Sequence, residues 1–517
     1  ASPHTIYDPA YELTSDLSSI YKNQIRRASW IIEPQLDYSV SFGDFNTKLL
    51  VGGTFQKLTN NREEIVGIGF VNNSLINNIA AANTKQVLAD EQTVYKYNAI
   101  YGRLNVALKN RYILNITGRR DGSSRFGSGK QFANFGAVGF AWLFSEEPFI
   151  ENTFPFLSYG KFRSSYGTTG SDQIGDYQYL DTYTVNGNNY GGTPTMEPSR
   201  LFNPLFSWEE NKKFEIALET GFLNDRILVS IARYQNRSSN QLVGIPLPQT
   251  TGFPSIQANL DATVENSGWE FEFNTTNIKA SQLSWRTSLN LSIPTNKLVS
   301  FPGLETSTYA NTYVIGAPLN IDKVYSFQGL NSATGLYEFT DYNEDDVLSR
   351  ADDREGYKDL NPSFYGGLQN SFNYKGFRLD FLFQFVKQEN YSGISLTGLP
   401  GQMVNQPKSV QDHWMQPGDQ TTYQPYSTGL NRELYLRYLN YIQSDAIITD
   451  ASYIRLKTIS VSYTLPENMI QGVQCRLFLR GQNLLTFTPY EGMDPESGFR
   501  SSLPPLRVLT TGLQLNF

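Results

Sequence analysis

The residues whose types and spacing best suit chemistry lie in one acidic stretch, DYNEDDVLSRAD, at positions 341–352. Calcium loops supply oxygen ligands from positions 1, 3, 5, 7, 9 and 12, with a backbone carbonyl at position 7. Those positions here hold Asp341, Asn343, Asp345, the carbonyl of Val347, Ser349 and Asp352. Two details depart from the pattern, because Asp346 replaces the turn glycine and Asp352 stands where a bidentate Glu is usual. The spacing predicts a weak calcium site, and a solvated acidic loop is the alternative.

A second candidate site is a polar segment that contains four tyrosines, Tyr177, Tyr179, Tyr183 and Tyr190. A tyrosine ring has an apolar face and a polar hydroxyl, so it can stack on a sugar and hydrogen-bond to it. Loop tyrosines also pack a loop against its neighbours, which is the alternative interpretation. The segment is therefore a candidate ligand-contact loop.

The chain contains few residues of the types that other catalytic or metal sites require. The only cysteine is Cys475 and the only histidines are His4 and His413, which excludes a disulfide framework, a thiolate metal cluster and a histidine-based triad. The sequence also lacks a Walker loop and a dinucleotide fingerprint. A net charge of -7 without a basic cluster excludes a nucleic-acid binder. We interpret the chain as a non-enzyme with calcium as its one candidate cofactor; a carboxylate-pair hydrolase is the formal alternative.

Alternating side chains indicate that β-strands position these segments. Within the stretch 101–149, Leu114 and Ile116 alternate with Asn115, Thr117 and Arg119. A period of two residues indicates a strand with one apolar and one polar face. The alternation recurs along the chain, and aromatic residues make up 14% of it. No apolar run approaches the roughly 18 residues of a membrane-spanning helix, whereas an outer-membrane β-barrel with a polar lumen and an aromatic exterior has this pattern.

The connections between the predicted strands alternate in length. About 15 strands are predicted, at 26–42, 46–58, 96–108, 112–120, 133–144, 157–170, 210–222, 226–240, 264–277, 284–298, 364–374, 377–388, 452–464, 473–487 and 506–517. Short connections lie at 43–45, 109–111, 145–156, 223–225, 278–283, 375–376 and 465–472, and longer ones at 59–95, 121–132, 171–209, 241–263, 299–363, 389–451 and 488–505. An all-β, transmembrane, antiparallel up-and-down β-barrel explains the alternation, with short periplasmic turns, long extracellular loops and the C-terminal Phe517 in the periplasm.

Eight blocks of sequence carry a family resemblance. They are RRDGSSRFG (119–127), WLFSEEPF (142–149), SYGTTGSDQIGDYQYL (165–180), SWEENKKFEIALETGFLNDRI (207–227), VENSGWEFEF (264–273), NPSFYGGLQNSFNYKGF (361–377), ASYIRLKTISVSYTLP (451–466) and GQNLLTFTPYEGMDPE (481–496). In order and spacing these blocks resemble the SusC/RagA family of TonB-dependent outer-membrane transporters of the Bacteroidetes. The resemblance implies import of a large nutrient, an oligosaccharide or a peptide, driven by TonB. It also implies a SusD-like surface lipoprotein as a lid over the extracellular loops, which the four tyrosines could contact.

The resemblance also sets an expectation about which part of a barrel the chain forms. Such barrels have about 22 strands around a plugged lumen, and about 15 are predicted here. We expect residues 1–517 to be the C-terminal part of a single barrel in outer-membrane lipid, with the N-terminal plug domain, the TonB box, the first strands and a signal peptide absent. The final strand, 506–517, should then leave a bare edge rather than pair with 26–42. A passive porin and a structural or secretion-accessory barrel are the alternatives in other functional classes.

Overall fold

The computed structural model describes residues 18–392, 398–466, 473–497 and 503–517. In that part of the chain the dominant element is one antiparallel sheet whose strands pair in sequence order. His4 lies outside the described residues, as do most of the predicted connection 465–472 and part of the connection 488–505.

The strands are long, and most are joined as hairpins. In chain order they begin with β1 (Ser19–Ile32), β2 (Gln35–Phe42), β3 (Phe45–Ile68), β4 (Thr84–Leu108), β5 (Tyr112–Ser123), β6 (Phe132–Trp142), β7 (Leu157–Ser171), β8 (Thr182–Tyr190), β9 (Thr193–Arg200), β10 (Glu209–Phe222), β11 (Ile227–Ser239), β12 (Gln241–Pro246) and β13 (Ser255–Leu260). They continue with β14 (Thr263–Lys279), β15 (Leu283–Ser300), β16 (Ile321–Val324), β17 (Phe327–Leu330), β18 (Tyr337–Phe339), β19 (Gly356–Asp359), β20 (Phe364–Tyr374), β21 (Phe377–Lys387), β22 (Glu389–Tyr391), β23 (Ile448–Asp450), β24 (Tyr453–Thr464), β25 (Gln474–Phe487) and β26 (Val508–Asn516).

The number of strands in the sheet agrees with the sequence-based prediction. Along the described residues, the hydrogen-bonded path runs through 15 strands, from β1 through β3 to β26, and β2 pairs beside β1 on the same neighbour, β3. β1 and β2 form one strand interrupted at Glu33 and Pro34, because proline has no N–H to donate to the ladder. The pairing continues in the same register on both sides, with Ile32 opposite Phe55 and Gln35 opposite Gly52. The predicted strand 26–42 is therefore present, and it starts earlier, at Ser19.

Tight turns at one end of the sheet explain why successive strands pair. Lys109 and Asn110 have φ values of 53° and 55°, and Lys375 and Gly376 have values of 46° and 88°. Positive φ at both central residues is the geometry of a type I′ turn, whose twist matches that of the flanking strands. Asparagine and glycine are the residues that adopt it most readily. These turns lie at the short connections that the sequence predicted.

The largest correction to the predicted strands concerns β3 and β4. The prediction ended the first at residue 58 and began the second at residue 96, whereas β3 runs to Ile68 and β4 begins at Thr84. The added residues pair across the two strands as far as Ile68 and Thr84. Polar residues such as Asn60 and Asn61 occupy both faces here, so no apolar alternation marks the extension. The predicted loop 59–95 is therefore mostly a β-ribbon.

The sheet is open at both edges in the described part of the chain. β26 pairs with β25, and β1 and β2 pair with β3, and neither edge has a second partner. The prediction that the last strand does not pair with the strand at 26–42 is confirmed. A bare edge in lipid would leave its N–H and C=O groups without partners.

The long connections contain structure that the sequence analysis did not predict. Five two-stranded ribbons are formed there among the described residues, by β8 with β9, β12 with β13, β16 with β19, β17 with β18, and β22 with β23. The α-helices of the described part are α1 (Pro148–Thr153), in a short connection, and α2 (Arg432–Tyr441), in the longest region of loops. Among the described residues, no helix has both the length and the apolar character required to cross a membrane.

Candidate functional site

Outside the polar extensions of β3 and β4, the strands of the sheet have one polar and one apolar face. On β5 the apolar face carries Leu114 and Ile116, which are 38% and 42% exposed. Directly opposite them on β6 lie Phe140 and Val138, which are 41% and 51% exposed. A contiguous exposed apolar surface of this extent requires an apolar solvent, which lipid provides around a barrel. The face predicted to be aromatic and lipid-facing is thus apolar and uncovered by protein.

The polar face presents paired charges that suit a water-filled lumen. On β7 and β10, the Lys161 ammonium lies 3.2 Å from a Glu219 carboxylate oxygen, and the Arg163 guanidinium donates to the same carboxylate at 2.7 Å and also contacts Glu215. All four side chains are about one quarter to two fifths exposed. The face therefore offers many hydrogen-bond donors and acceptors without a net excess of one sign.

A denser group of polar and aromatic side chains lies on the polar face, at the end of the sheet with the long connections. We call it the arginine–tyrosine cluster and define it as Tyr95, Tyr97, Arg119, Asp121 and Asp172. Arg119 Nε donates to both carboxylate oxygens of Asp121 at 2.9 Å, and its Nη2 donates to the Tyr97 hydroxyl at 2.7 Å. The Tyr95 hydroxyl donates to Asp172 Oδ2 at 2.8 Å. These hydrogen bonds fix the orientations of two phenol rings and one guanidinium group that lie next to each other on the polar face.

The arginine–tyrosine cluster lines a cavity of about 420 Å³, whose wall also includes Phe135 and Trp208. Sites for organic ligands commonly combine aromatic walls with a few placed polar groups. Strand alternation could have placed Arg119 and Asp121 on one face, but it could not have found Asp172, which is 77 residues from Tyr95 in the chain. The cavity is the best candidate for ligand contact on the polar face.

Two of the four predicted tyrosines support this cavity from the neighbouring loop. The Tyr177 hydroxyl accepts a hydrogen bond from the backbone N–H of Val94 at 3.0 Å, which joins the loop to β4. Tyr179 packs against the aromatic group of Phe126, Phe206 and Trp208. These contacts agree with the packing interpretation of loop tyrosines.

The other two predicted tyrosines lie apart from the cavity. Tyr183 and Tyr190 are both on β8, and their side chains are 62% and 85% exposed. The structure therefore brings together Tyr177 and Tyr179 but not all four residues. Ligand contact by any of the four stays a prediction.

The acidic loop 341–352 is held together by its own backbone and side chains. The Asp341 carboxylate accepts hydrogen bonds from the backbone N–H groups of Glu344 and Asp346, at 2.9 and 2.7 Å. Asn343 Nδ2 donates to the Asp345 carboxylate at 3.0 Å.

The remaining candidate ligands continue the same pattern of local contacts. The N–H of Val347 donates to Asp345, and the Ser349 hydroxyl donates to Asp352 at 2.7 Å. Among the described residues, no three Asp, Glu, His or Cys side chains are grouped as a metal site would require. Calcium binding stays a prediction from the spacing.

Parts of two long connections, residues 320–361 and 398–451, fold together into a unit that we call the loop domain. Its buried core includes Tyr337, which is 0% exposed, and Tyr441, whose ring stacks on that of Tyr337 with centroids 4.4 Å apart. Leu434, Tyr438 and Tyr441 lie on the buried face of α2. Asn431 caps that helix, because its side-chain oxygen accepts from two backbone N–H groups of the first turn. The loop domain is thus a small globular core at one end of the large antiparallel sheet, which we call the wall.

Burial changes the ionisation of the core tyrosines. Because the phenolate is the charged form and is disfavoured away from water, the pKa of Tyr438 and that of Tyr441 are raised to about 12. At the edge of the loop domain, the Lys387 ammonium and the Ser452 hydroxyl donate to the Asp450 carboxylate and lower its pKa to about 2.

One buried arginine joins the wall to the last long connection. Arg455 on β24 is 1% exposed and pairs with Asp494 and Glu496. Its guanidinium also lies 5.1 Å from the centroid of the Tyr453 ring. A buried arginine with two carboxylate partners fixes the geometry between two segments.

Comparison with known proteins is consistent with this architecture. A family model described as TonB dependent receptor-like, beta-barrel, matches residues 4–484. The chain is 28% identical to TonB-dependent receptor P3 of Formosa agariphila, over 96% of this chain and 53% of the relative. It is 27% identical to TonB-dependent receptor SusC of Bacteroides thetaiotaomicron, over 100% of this chain and 52% of the relative. The chain thus spans about half the length of the curated relatives it matches.

A solved structure has the same fold. The RagAB peptide transporter superposes with a TM-score of 0.83 and 23% identity, over 96% of this chain and 56% of that chain. The match covers the sheet and its long connections together.

Proposed function

Because the chain belongs to the family of TonB-dependent receptor-like β-barrels, we propose that it forms barrel wall in an outer-membrane importer of a large nutrient. The proposed energy source is TonB, and the proposed cargo is an oligosaccharide or a peptide. The SusC/RagA resemblance that the sequence blocks predicted is confirmed by the matches to SusC and to the RagAB structure.

The observation that carries the proposal is the division of the wall into an apolar outer face and a charged, hydrogen-bonding inner face. The outer face suits lipid, and the inner face suits a hydrated solute. The arginine–tyrosine cluster adds a cavity with aromatic walls and fixed donors, which could hold part of a sugar chain or a peptide backbone. The transporter named RagAB carries peptides, which supports a cargo of that class.

The proposal assigns the ends of the wall to the two sides of the membrane. The long connections, with the loop domain, lie outside the cell, and the short turns and the C-terminal Phe517 lie in the periplasm. The two bare edges of the sheet support further strands in the complete protein, since a barrel in lipid has no unpaired edge. The proposed transporter also includes a plug domain inside the lumen and a segment that contacts TonB.

A SusD-like lipoprotein is the proposed lid. Three apolar side chains of the loop domain favour such a partner, since Met403, Val404 and Leu430 are 100%, 56% and 92% exposed. Their two segments are adjacent, because the N–H of Ser427 donates to the carbonyl of Pro400 at 2.8 Å. Exposed apolar groups clustered on a water-facing surface are typical of a protein contact. The exposed Tyr183 and Tyr190 are further candidates for contact with the lid or the cargo.

The test is to isolate the complete protein from outer membranes and to identify co-purifying ligand and protein by mass spectrometry. We expect a bound oligosaccharide or peptide and a surface lipoprotein. Uptake of that ligand by cells should stop when TonB is deleted. Uptake that continues without TonB would identify a passive porin, and association only with secretion proteins would identify an accessory barrel.

A further inference from the structure

Two lysines without an acidic partner face each other on the apolar face of the wall. Lys57 on β3 is directly opposite Lys96 on β4, and Trp30 on β1 is directly opposite Lys57. Within the described residues, neither lysine has an ion pair, and on this face of the two strands the nearest acidic pair, Glu63 and Asp90, lies three cross-strand pairs farther along. At about 3.3 Å per residue that is roughly 20 Å away.

The position of the lysines along the strands corresponds to the edge of the membrane. From the turn upward, the same face of β3 carries Leu49, Val51 and Phe55, each more than two fifths exposed, before Lys57. A tilted membrane strand needs about 9 to 11 residues, and Phe45 to Phe55 is a stretch of that length. Trp30 is 50% exposed beside the lysines, and tryptophan is enriched at the level of lipid headgroups.

Two like charges on directly opposite residues are destabilising, and a bound anion would offset their repulsion. Side chains directly opposite in an antiparallel pair have Cβ atoms about 5 Å apart, so two ammonium groups there repel each other. A third cation, Arg120, lies beside an aromatic residue that lines the same cavity as the two lysines, because its guanidinium is 5.2 Å from the centroid of the Phe132 ring. Arg120 has no acidic partner among the described residues either. Three cations at one edge of an apolar band attract phosphate more strongly than any neutral headgroup.

A cavity beside the lysines offers space for an acyl chain and part of a headgroup. It has a volume of about 500 Å³, and Trp30, Phe55, Phe132, Lys57 and Lys96 are among its lining residues. The absence of a side chain at Gly122 leaves room for the Phe132 ring, since a Cβ at residue 122 would lie 2.5 Å from that ring. The cavity therefore combines aromatic walls with two cations at its rim.

We propose that Lys57, Lys96 and Trp30 bind a phosphate-bearing lipid of the outer leaflet, with the phosphate between the two ammonium groups and an acyl chain along the aromatic wall. The proposal rests on the proposed function for the membrane and for the orientation of the wall. It adds a lipid site on the outside of the barrel, away from the lumen and from the loop domain.

The experiment uses the complete protein, purified from outer membranes in mild detergent and examined by native mass spectrometry. The measured quantity is the fraction of protein that carries a phosphorylated glycolipid. The variant K57Q/K96Q should bind about thirtyfold more weakly, because each basic residue near an anionic surface contributes about fivefold. K57R/K96R should retain the lipid.

The matched control is K212Q/K297Q, which removes the same charge from the same face of other strands. Lys212 has an acidic neighbour, Glu210, at 3.8 Å, and Lys297 is directly opposite Glu265. This control should retain lipid as the unaltered protein does. Equal loss in both double variants would overturn the site, because it would reflect total charge alone.

Two further binding measurements identify the chemical group that the site recognises, one with dephosphorylated glycolipid and one with inorganic phosphate as competitor. Glycolipid from which the phosphates have been removed should bind at least about tenfold more weakly, and inorganic phosphate alone should not displace the intact lipid. Equal binding of both lipids, or displacement by phosphate, would overturn the proposal. Resistance of the folded protein to unfolding in SDS reports insertion separately, so a protein that inserts without lipid preference contradicts this site alone, whereas one that never inserts contradicts the proposed function.

Discussion

The wall and the loop domain place their large apolar side chains in opposite ways. In the wall, Phe140 and Val138 are 41% and 51% exposed, and the interior carries charges. In the loop domain, Tyr337 and Tyr441 are 0% and 5% exposed, and their rings stack. The wall therefore depends on its solvent for stability, whereas the loop domain has a water-excluding core of its own.

Charged side chains also differ in exposure between the two regions. Arg163 on the wall is 36% exposed and remains accessible to a solute in the lumen. Arg455, where the wall meets the last long connection, is 1% exposed and pairs with Asp494 and Glu496. A half-exposed pair can exchange partners with a ligand, while a buried pair holds two segments in register.

The largest expected effect is in the core of the loop domain. Tyr337→Ala should destabilise that domain by about 3 to 5 kcal/mol, because it opens a cavity beneath the stacked ring of Tyr441. Limited proteolysis and hydrogen exchange of the α2 amides would show it while the wall stays folded. The control is Tyr342→Ala, since Tyr342 is 47% exposed. Equal effects of the two variants would contradict the assignment of a core.

The next effect is in the wall. Phe381→Arg should cost about 2 to 4 kcal/mol of membrane stability, because it places a charge on the lipid-facing side. Arg378→Ala should have little effect, because Arg378 lies on the polar face and its ion pair among the described residues is with Asp380, at 2.7 Å on its own strand. Unfolding in lipid vesicles measures both. Equal damage would mean that the two faces are assigned the wrong way round.

A smaller effect of alkaline pH should be measurable in the core of the loop domain. The pKa values of Tyr438 and Tyr441 rise from 10.0 to about 12 on folding. Their contribution to stability is therefore complete below pH 10 and is lost as the pH rises through about 12. Hydrogen exchange of α2 against pH would follow the loss.

Variants on the same helix isolate the cause of that alkaline effect. Replacing Tyr438 and Tyr441 together by Phe should weaken the pH dependence above pH 10, and the remainder belongs to Tyr337, whose pKa is also raised by burial in the same core. Tyr435→Phe is the control, because Tyr435 is 40% exposed and its change should leave the dependence intact. Alkaline opening that is as large in the double variant as in the unaltered protein would assign it to other groups.

The smallest effect should come from the ion pair at the boundary between the two regions. The Lys387 ammonium lies 2.8 Å from Asp450, but both side chains are nearly half exposed, so Lys387→Ala should cost about 0.2 to 1 kcal/mol. The lowered pKa of Asp450 contributes stability above pH 3.8 that is lost as the pH falls through about 2. Stability measured between pH 5 and pH 2 should therefore depend less on pH in Lys387→Ala. Lys408→Ala is the control, and a matching change there would contradict the assignment.

Most of the wall could be predicted from the sequence. The strand at 364–374 has the predicted bounds, and most other strands differ from prediction by a few residues. The exceptions are β3 and β4, whose polar extensions carry no alternation, and the strand at 26–42, which begins earlier. The ribbons and the helix of the long connections were missed, because they are short and their apolar residues have no long period.

The sequence by itself determined the sheet, its polar and apolar faces and the family, because alternation and turn chemistry depend on residues close together in the chain. Only the tertiary structure decided the loop domain, the arginine–tyrosine cluster and the pairing of Lys57 with Lys96. Tyr95 and Asp172 are 77 residues apart, and Lys57 meets Lys96 only through the register of β3 and β4. A local sequence pattern cannot predict such contacts. They depend on the register of the strands, which is set by the lengths of all the strands and connections between the two residues.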